Sequence, residues 1–286
     1  MKKFAVGSWS FLFNQEQPVT DFHDLVHHVG NLGYDGIELG GFPPHPNPDE
    51  LDTKEKRQKL RKMVIDHGLE FSALAADLWS RKLVSVGDSG PYLATFEKHL
   101  ALADDLGIRT IRIDTAESIA GIGADARTAL DRAVVAFDRC AKLALDKGIA
   151  VSWEFDPAFP LHQPAEILEV ARRVRDDLSN PNFGVLFNTC HAEVCGGALE
   201  LLGKLNGKIN HLHLIDSDGT LNEHGTSKRL PFGKGRLDFD KLAPALLTCG
   251  VSNDWWCVDL CFWPNAWEAA GDCRRFLDKL RRKYVT

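Results

Sequence analysis

Four residues with metal- and proton-handling side chains each close a short apolar run: Glu154 after Ile149–Trp153, Asn188 after Phe183–Phe187, His213 in His211-Leu212-His213, and Asp259 after Trp255–Val258. Three oxygen donors and one imidazole suit a hard or borderline divalent ion such as Mn²⁺, Mg²⁺ or Co²⁺. Taken singly, each reads as a hydrogen-bonded polar residue inside a protein. Taken together at equivalent strand ends, Glu154, Asn188, His213 and Asp259 read as one metal site. Such an ion polarises a ketone, and a nearby carboxylate can then remove the α-proton and leave an enediolate. His191, three residues past Asn188, is placed to reach a substrate oxygen or metal-bound water, with a buried loop histidine as the plain alternative.

These side chains share a height only if the elements that carry them alternate regularly. A helical stretch ending in Gly, then a β-branched or aromatic run, recurs at Gly33, Gly68, Gly107, Gly148, Gly207 and Gly250. Glycine past a helix end takes the left-handed conformation at little cost. With Phe4–Trp9 and Phe183–Asn188 the runs make eight strands. Helical patterns separate them at about 20–32, 53–67, 89–106, 124–147, 163–178, 197–206, 238–249 and 266–283. In the fourth, Ala133, Val134, Phe137, Cys140, Ala141 and Leu145 keep the helical period. Strict strand–helix alternation implies parallel strands, and eight repeats imply a closed (β/α)8 barrel, an α/β fold of one domain over residues 1–286. Thr110, Arg112 and Asp114 alternate with Ile111 and Ile113, and His211 and His213 with Leu212 and Leu214, so polar groups point into the lumen near the C-terminal strand ends. Glu38 then reads as a polar anchor at the barrel mouth, Arg112 and Asp114 as a pair, Asp156 as a support behind Glu154, and His211 as structural. Trp9, Trp79, Trp153, Phe262, Trp263 and Trp267 fall at strand ends or loops, where aromatic faces stack on sugar rings. The segment 217–236 is long for a strand-to-helix loop and reads as a lid bringing Lys228 or Arg229 to substrate. Its Gly233-Lys234-Gly235 alone is weak evidence for phosphate binding.

Composition narrows the function classes. The net charge of −6 argues against a nucleic-acid-binding role. No apolar run is long enough for a membrane span or a secretory leader. The seven cysteines are odd in number and lack zinc-ribbon spacing, so they read as free thiols in the cytoplasm. A small-molecule partner is expected, and a homo-oligomer is compatible with the sequence.

The chain resembles the xylose isomerase-like TIM-barrel superfamily of sugar isomerases and epimerases, which also contains endonuclease IV. The resemblance covers essentially the whole chain. It rests on Gly36-Ile37-Glu38-Leu39, Trp153-Glu154, Asn188-Thr189-Cys190-His191, His211-Leu212-His213-Leu214-Ile215-Asp216 and Pro231-Phe232-Gly233-Lys234-Gly235. It implies proton exchange by Glu154 and Asp259 from opposite faces of a carbohydrate; positions at strand ends and loops make His191, Trp9, Trp263 and Arg229 the expected substrate contacts. Two positions depart from the family pattern: Asn188 stands where an aspartate is usual, and Asp259 replaces a glutamate with about 1.5 Å less reach. The substrate-binding Glu and Arg of ketose 3-epimerases correspond to Pro160 and Gly219. The function expected is a divalent-metal-dependent sugar or cyclitol isomerase or epimerase. The alternatives are a keto-sugar or inosose dehydratase on the same scaffold, and a non-catalytic sugar-binding barrel with a degenerate metal site. The endonuclease branch would need a trinuclear zinc cluster that the histidines do not visibly supply.

Overall fold

Each glycine-led run forms a strand, and the strands all run parallel around a closed barrel. This computed structural model describes residues 2–117 and 126–284. The barrel strands are β1 (Lys3–Gly7), β2 (Gly36–Gly40), β3 (Glu70–Ala75), β4 (Thr110–Ile113), β5 (Ala150–Glu154), β6 (Phe183–Asn188), β7 (Ile209–Leu214) and β10 (Trp255–Val258). Their order around the barrel follows the sequence, and β10 closes the ring by pairing with both β7 and β1. The helices between them are α1 (Phe22–Asn31), α2 (Lys54–Asp66), α3 (Gly90–Leu106), α4 (Ala126–Leu145), α5 (Pro164–Ala171), α7 (Ala198–Lys204), α8 (Phe239–Thr248) and α9 (Ala266–Tyr284). Residues 124 and 125, the expected start of α4, lie outside the described residues. All six punctuating glycines have positive φ. Gly107 shows the reason: at φ 75° it lets its N–H bond back to the last turn of α3 before the chain enters β4.

Outward-facing strand residues pack on the helices. Trp153 lies 5.7 Å from the Phe137 ring of α4, centroid to centroid. It is therefore part of the outer core rather than a sugar-stacking residue. Trp267 likewise stacks on His28, outside the barrel mouth.

The four strand-end residues are not level in the ladder. Glu154 pairs with Leu186, two residues before Asn188, while Asn188 pairs with His213. His213 in turn pairs with Cys257, two residues before Asp259. A closed barrel needs tilted strands and a staggered register, and shifts of two keep every side chain on the same face. The stagger is what brings all four side chains into one cluster.

Several elements were not expected, among them a short 3-10 helix, Ser8–Phe11, where the first strand was expected to run on to Trp9. A short helix, α6 (Thr189–Gly196), begins directly at the end of β6. The segment after β7 is a hairpin, β8 (Asp216–Leu221) with β9 (Ser227–Leu230), rather than an irregular lid. Behind it the Gly-x-Gly loop wraps the chain's own carboxylate: Gly233 and Gly235 donate to Asp216 Oδ2 at 2.9 and 3.0 Å, and Ser217 and Leu237 donate to its Oδ1. That cradle is filled by Asp216, so nothing remains there to hold a phosphate.

Candidate active site

Asn188 is both the last residue of β6 and the N-cap of α6. Its Oδ1 accepts from the Cys190 backbone N–H at 3.1 Å, satisfying a free donor of the first turn. Its Nδ2 donates to Glu154 Oε1 at 3.1 Å and to Asp259 Oδ2 at 2.9 Å. These three partners fix the amide's orientation, since a flip would set oxygen against two carboxylates. His213 is held just as tightly. Its Nδ1 faces Glu154 Oε1 at 3.2 Å and its Nε2 faces Glu38 Oε2 at 3.0 Å. Ionised carboxylates only accept, so both ring nitrogens donate and the ring is an imidazolium. Burial opposes that charge, but Glu38 and Glu154 outweigh burial and carry the His213 pKa up to about 10. His211 donates to the same Glu38 oxygen at 2.7 Å, so Glu38 is the polar anchor of the lumen.

Two arginines complete the cluster. Arg112, from β4, places Nε 2.6 Å from Glu154 Oε2 and its terminal nitrogen 3.2 Å from Asp114 Oδ2. Arg229, from β9, donates through Nε to Asp259 Oδ2 at 2.6 Å and through a terminal nitrogen to His191 Nε2 at 3.1 Å. Asp259 Oδ1 accepts from the Trp9 indole at 3.0 Å and from the Cys261 N–H at 3.1 Å. Burial alone would raise both carboxyl pKa values. Arg112 and His213 hold Glu154, and Arg229 and His213 hold Asp259, well below the usual carboxylate range. Asp114 differs: burial wins over its Arg112 contact and lifts its pKa to about 6. Asp156 Oδ2 lies 3.3 Å from His191 Nε2 and accepts from Thr226 at 2.5 Å. Burial pushes the His191 pKa down, consistent with a neutral ring that accepts from Arg229.

Candidate metal-ligating groups are present: Glu154, His191 and Asp259 form one buried set, and Glu38, His213 and Cys257 another, each with ligand-type atoms within 4.8 Å of one another. Some of their lone pairs are engaged, whereas Glu38 Oε1 is buried without a partner and Glu154 Oε2 meets Arg112 only as an ion pair. A carboxylate offers about four acceptor sites. Asp259 meets donors from Trp9, Cys261, Asn188 and Arg229, and Glu154 Oε1 meets donors from Asn188 and His213. Asn188 turns its nitrogen inward and its oxygen to the α6 backbone, and His213 has no free lone pair. Of the ligand set expected from the sequence, Glu154, Asn188, His213 and Asp259, the Asn188 amide turns its nitrogen rather than its oxygen to the carboxylates in this arrangement.

Above the cluster opens a cavity of about 340 Å³. Glu154, Asp259, His213, Arg112 and Arg229 form its floor, and Trp9, Phe13, Trp79, Phe159 and Phe262 its walls. Of the residues expected to hold substrate, Trp9 and Arg229 line this cavity. His191 lies buried behind Arg229, and Trp263 lines an adjoining hollow that shares Arg229, Cys261 and Phe262. Lys228 points away and pairs with Asp218 at 2.8 Å. The Arg112–Asp114 pair was legible from their spacing; the contacts of Arg112 with Glu154 and of Arg229 with Asp259 and His191 were not.

The xylose isomerase-like TIM barrel family matches residues 26–280, and the chain belongs to it. Among curated proteins, an uncharacterized protein of Methanocaldococcus jannaschii, MJ1311, is 27% identical over 130 residues, 43% of this chain and 41% of that protein's length. Among solved structures, the IOLI protein with a binding zinc atom superposes with a TM-score of 0.77 at 19% identity, covering 99% of each chain. A D-tagatose 3-epimerase-like protein superposes with a TM-score of 0.75 at 19% identity, covering 98% of this chain and 99% of its own. At these identities the solved structures establish the shared barrel. Among the described residues no helix is long and apolar enough to cross a membrane.

Proposed function

We propose that this single-domain chain, residues 1–286, is a cytoplasmic isomerase- or epimerase-type enzyme acting on a small carbohydrate, with Glu154 and Asp259 as the proton-transferring carboxylates. One observation carries the reading: two buried carboxylates, bridged by the Asn188 amide, open onto the same cavity beside two guanidinium groups. The sugar-epimerase relatives on this fold agree with it.

The resting carboxylates are weak bases because Arg112 and Arg229 sit on them. A substrate carbonyl in the cavity competes for those N–H groups. As its oxygen gains charge, it takes a growing share of the guanidinium hydrogen bonds without displacing the side chains. The carboxylates then regain basicity at the moment the α-proton has become acidic. Two carboxylates on the floor allow removal by one and return by the other. The aromatic walls exclude water and cover the apolar faces of a sugar ring. Arg229 and Trp9 are the proposed substrate contacts; His191 orients Arg229, and Trp263 is placed at the rim. The Mn²⁺, Mg²⁺ or Co²⁺ expected from the sequence has no step in this reading.

The test is solvent exchange. Incubation with a panel of ketoses and keto-cyclitols in D₂O should label the α-carbon of the true substrate, and Glu154→Gln should abolish the label. Elimination would instead release an unsaturated ketone, and simple binding would give heat without exchange. A sugar that binds in the cavity yet never acquires deuterium overturns the proposal.

A further inference from the structure

We infer that the chain has replaced the divalent ion of its barrel mouth with its own cations, and that Asn188 and Arg229 are the two residues that exclude a metal. Two contacts keep the ion out. The Asn188 amide hydrogens occupy the gap between the two carboxylates, and Arg229 holds Asp259 Oδ2, the oxygen that Asn188 also takes. Arg229 cannot move aside freely, because its side chain is 7% exposed and also bonds His191 and the Ser227 carbonyl.

The same contacts say what would readmit an ion: Asn188→Asp with Arg229→Ala replaces the bridging amide donors with a carboxyl group and frees a lone pair on Asp259. Calorimetric titration of Mn²⁺ and Co²⁺ into the EDTA-treated protein tests this without any substrate. It is run in an Asp21→Ala/His23→Ala background, which removes an exposed acidic and histidine group able to take a cation. The expected result is no binding tighter than about 1 mM in that parent and no change of melting temperature with EDTA. The Asn188→Asp/Arg229→Ala variant should bind one equivalent at least about a hundredfold more tightly, with a raised melting temperature. One equivalent bound at micromolar affinity by the parent, and lost in Glu154→Gln, would overturn the inference even if the double variant fails to fold. A folded double variant, judged by circular dichroism, that binds no ion would overturn the assignment to Asn188 and Arg229. Neither result bears on the carbohydrate reading, which the deuterium experiment decides.

Discussion

Asn188→Asp is the substitution whose cost can be worked from the coordinates. The new carboxylate keeps the cap on α6, because its Oδ1 can still accept from the Cys190 N–H. Its other oxygen would sit where Nδ2 is now, 3.1 Å from Glu154 and 2.9 Å from Asp259. At an effective dielectric of about 20, each of these repulsions is worth about 5 kcal/mol, so roughly 10 kcal/mol if the group stays ionised. Taking up a proton is cheaper. At pH 7 an acid of ordinary pKa near 3.9 pays about 1.4 kcal/mol per unit, close to 4 kcal/mol, and the protonated form can still donate one hydrogen bond. The variant should therefore bind one more proton folded than unfolded across the range above pH 4. Because the native state holds the extra proton, stability falls as pH rises, by about 1.4 kcal/mol per unit relative to wild type. Urea unfolding in EDTA should show a deficit of about 4 kcal/mol at pH 7 that shrinks to about 1.5 kcal/mol at pH 5. A deficit under about 1 kcal/mol at pH 7, or one independent of pH, would show that the side chain does not lie between the two carboxylates.

Arg112→Met should cost about 3–5 kcal/mol, because it leaves Glu154 and Asp114 as buried acids without their shared cation; a loss below about 1 kcal/mol on chemical denaturation contradicts the pairing. His213 should show both ring nitrogens protonated by long-range nitrogen–proton NMR at pH 8, and a neutral tautomer there would refute the assigned charge. With a folded pKa near 10 against about 6.5 unfolded, its contribution is complete below pH 6.5 and lost as pH climbs to 10. Wild type should accordingly lose stability relative to His213→Gln between pH 7 and 10.

The barrel was readable because its signals are local. Six glycines and the alternation of Thr110, Arg112 and Asp114 with isoleucine each report a neighbourhood of a few residues. Alternation even contained the answer for Trp153, which is adjacent to Glu154 and so must face the opposite side. The helix α6 escaped because eight residues give too few turns for a repeating apolar stripe. The cluster's partners escaped for a different reason. Arg112 pairs with Ser152 across β4 and β5, which sets Glu154 one step further along the same face, and Arg229 reaches the floor only because the hairpin aligns it with Ser217. Registers between strands are set by closure of the whole barrel, and no local pattern encodes them. Residue types at strand ends placed Glu154 and Asp259 near one another, whereas the Arg229 contact with Asp259 depended on a hairpin that hydrophobic patterning does not reveal.

The floor of the barrel also constrains how the chain reaches its final form. Its contacts join residues far apart in sequence: His211 to Glu38 across 173 positions and Trp9 to Asp259 across 250. Contacts of such separation carry the largest loop-closure entropy and form late in folding. Until β10 docks between β1 and β7, the carboxylates and guanidiniums at the floor remain open to water and their pairing gains little. A half-built ring would therefore hold hydrated charges where the native ring holds dry ones. The last strand to dock converts the floor from solvated to sealed in a single step, which ties chain closure and site assembly into one cooperative event.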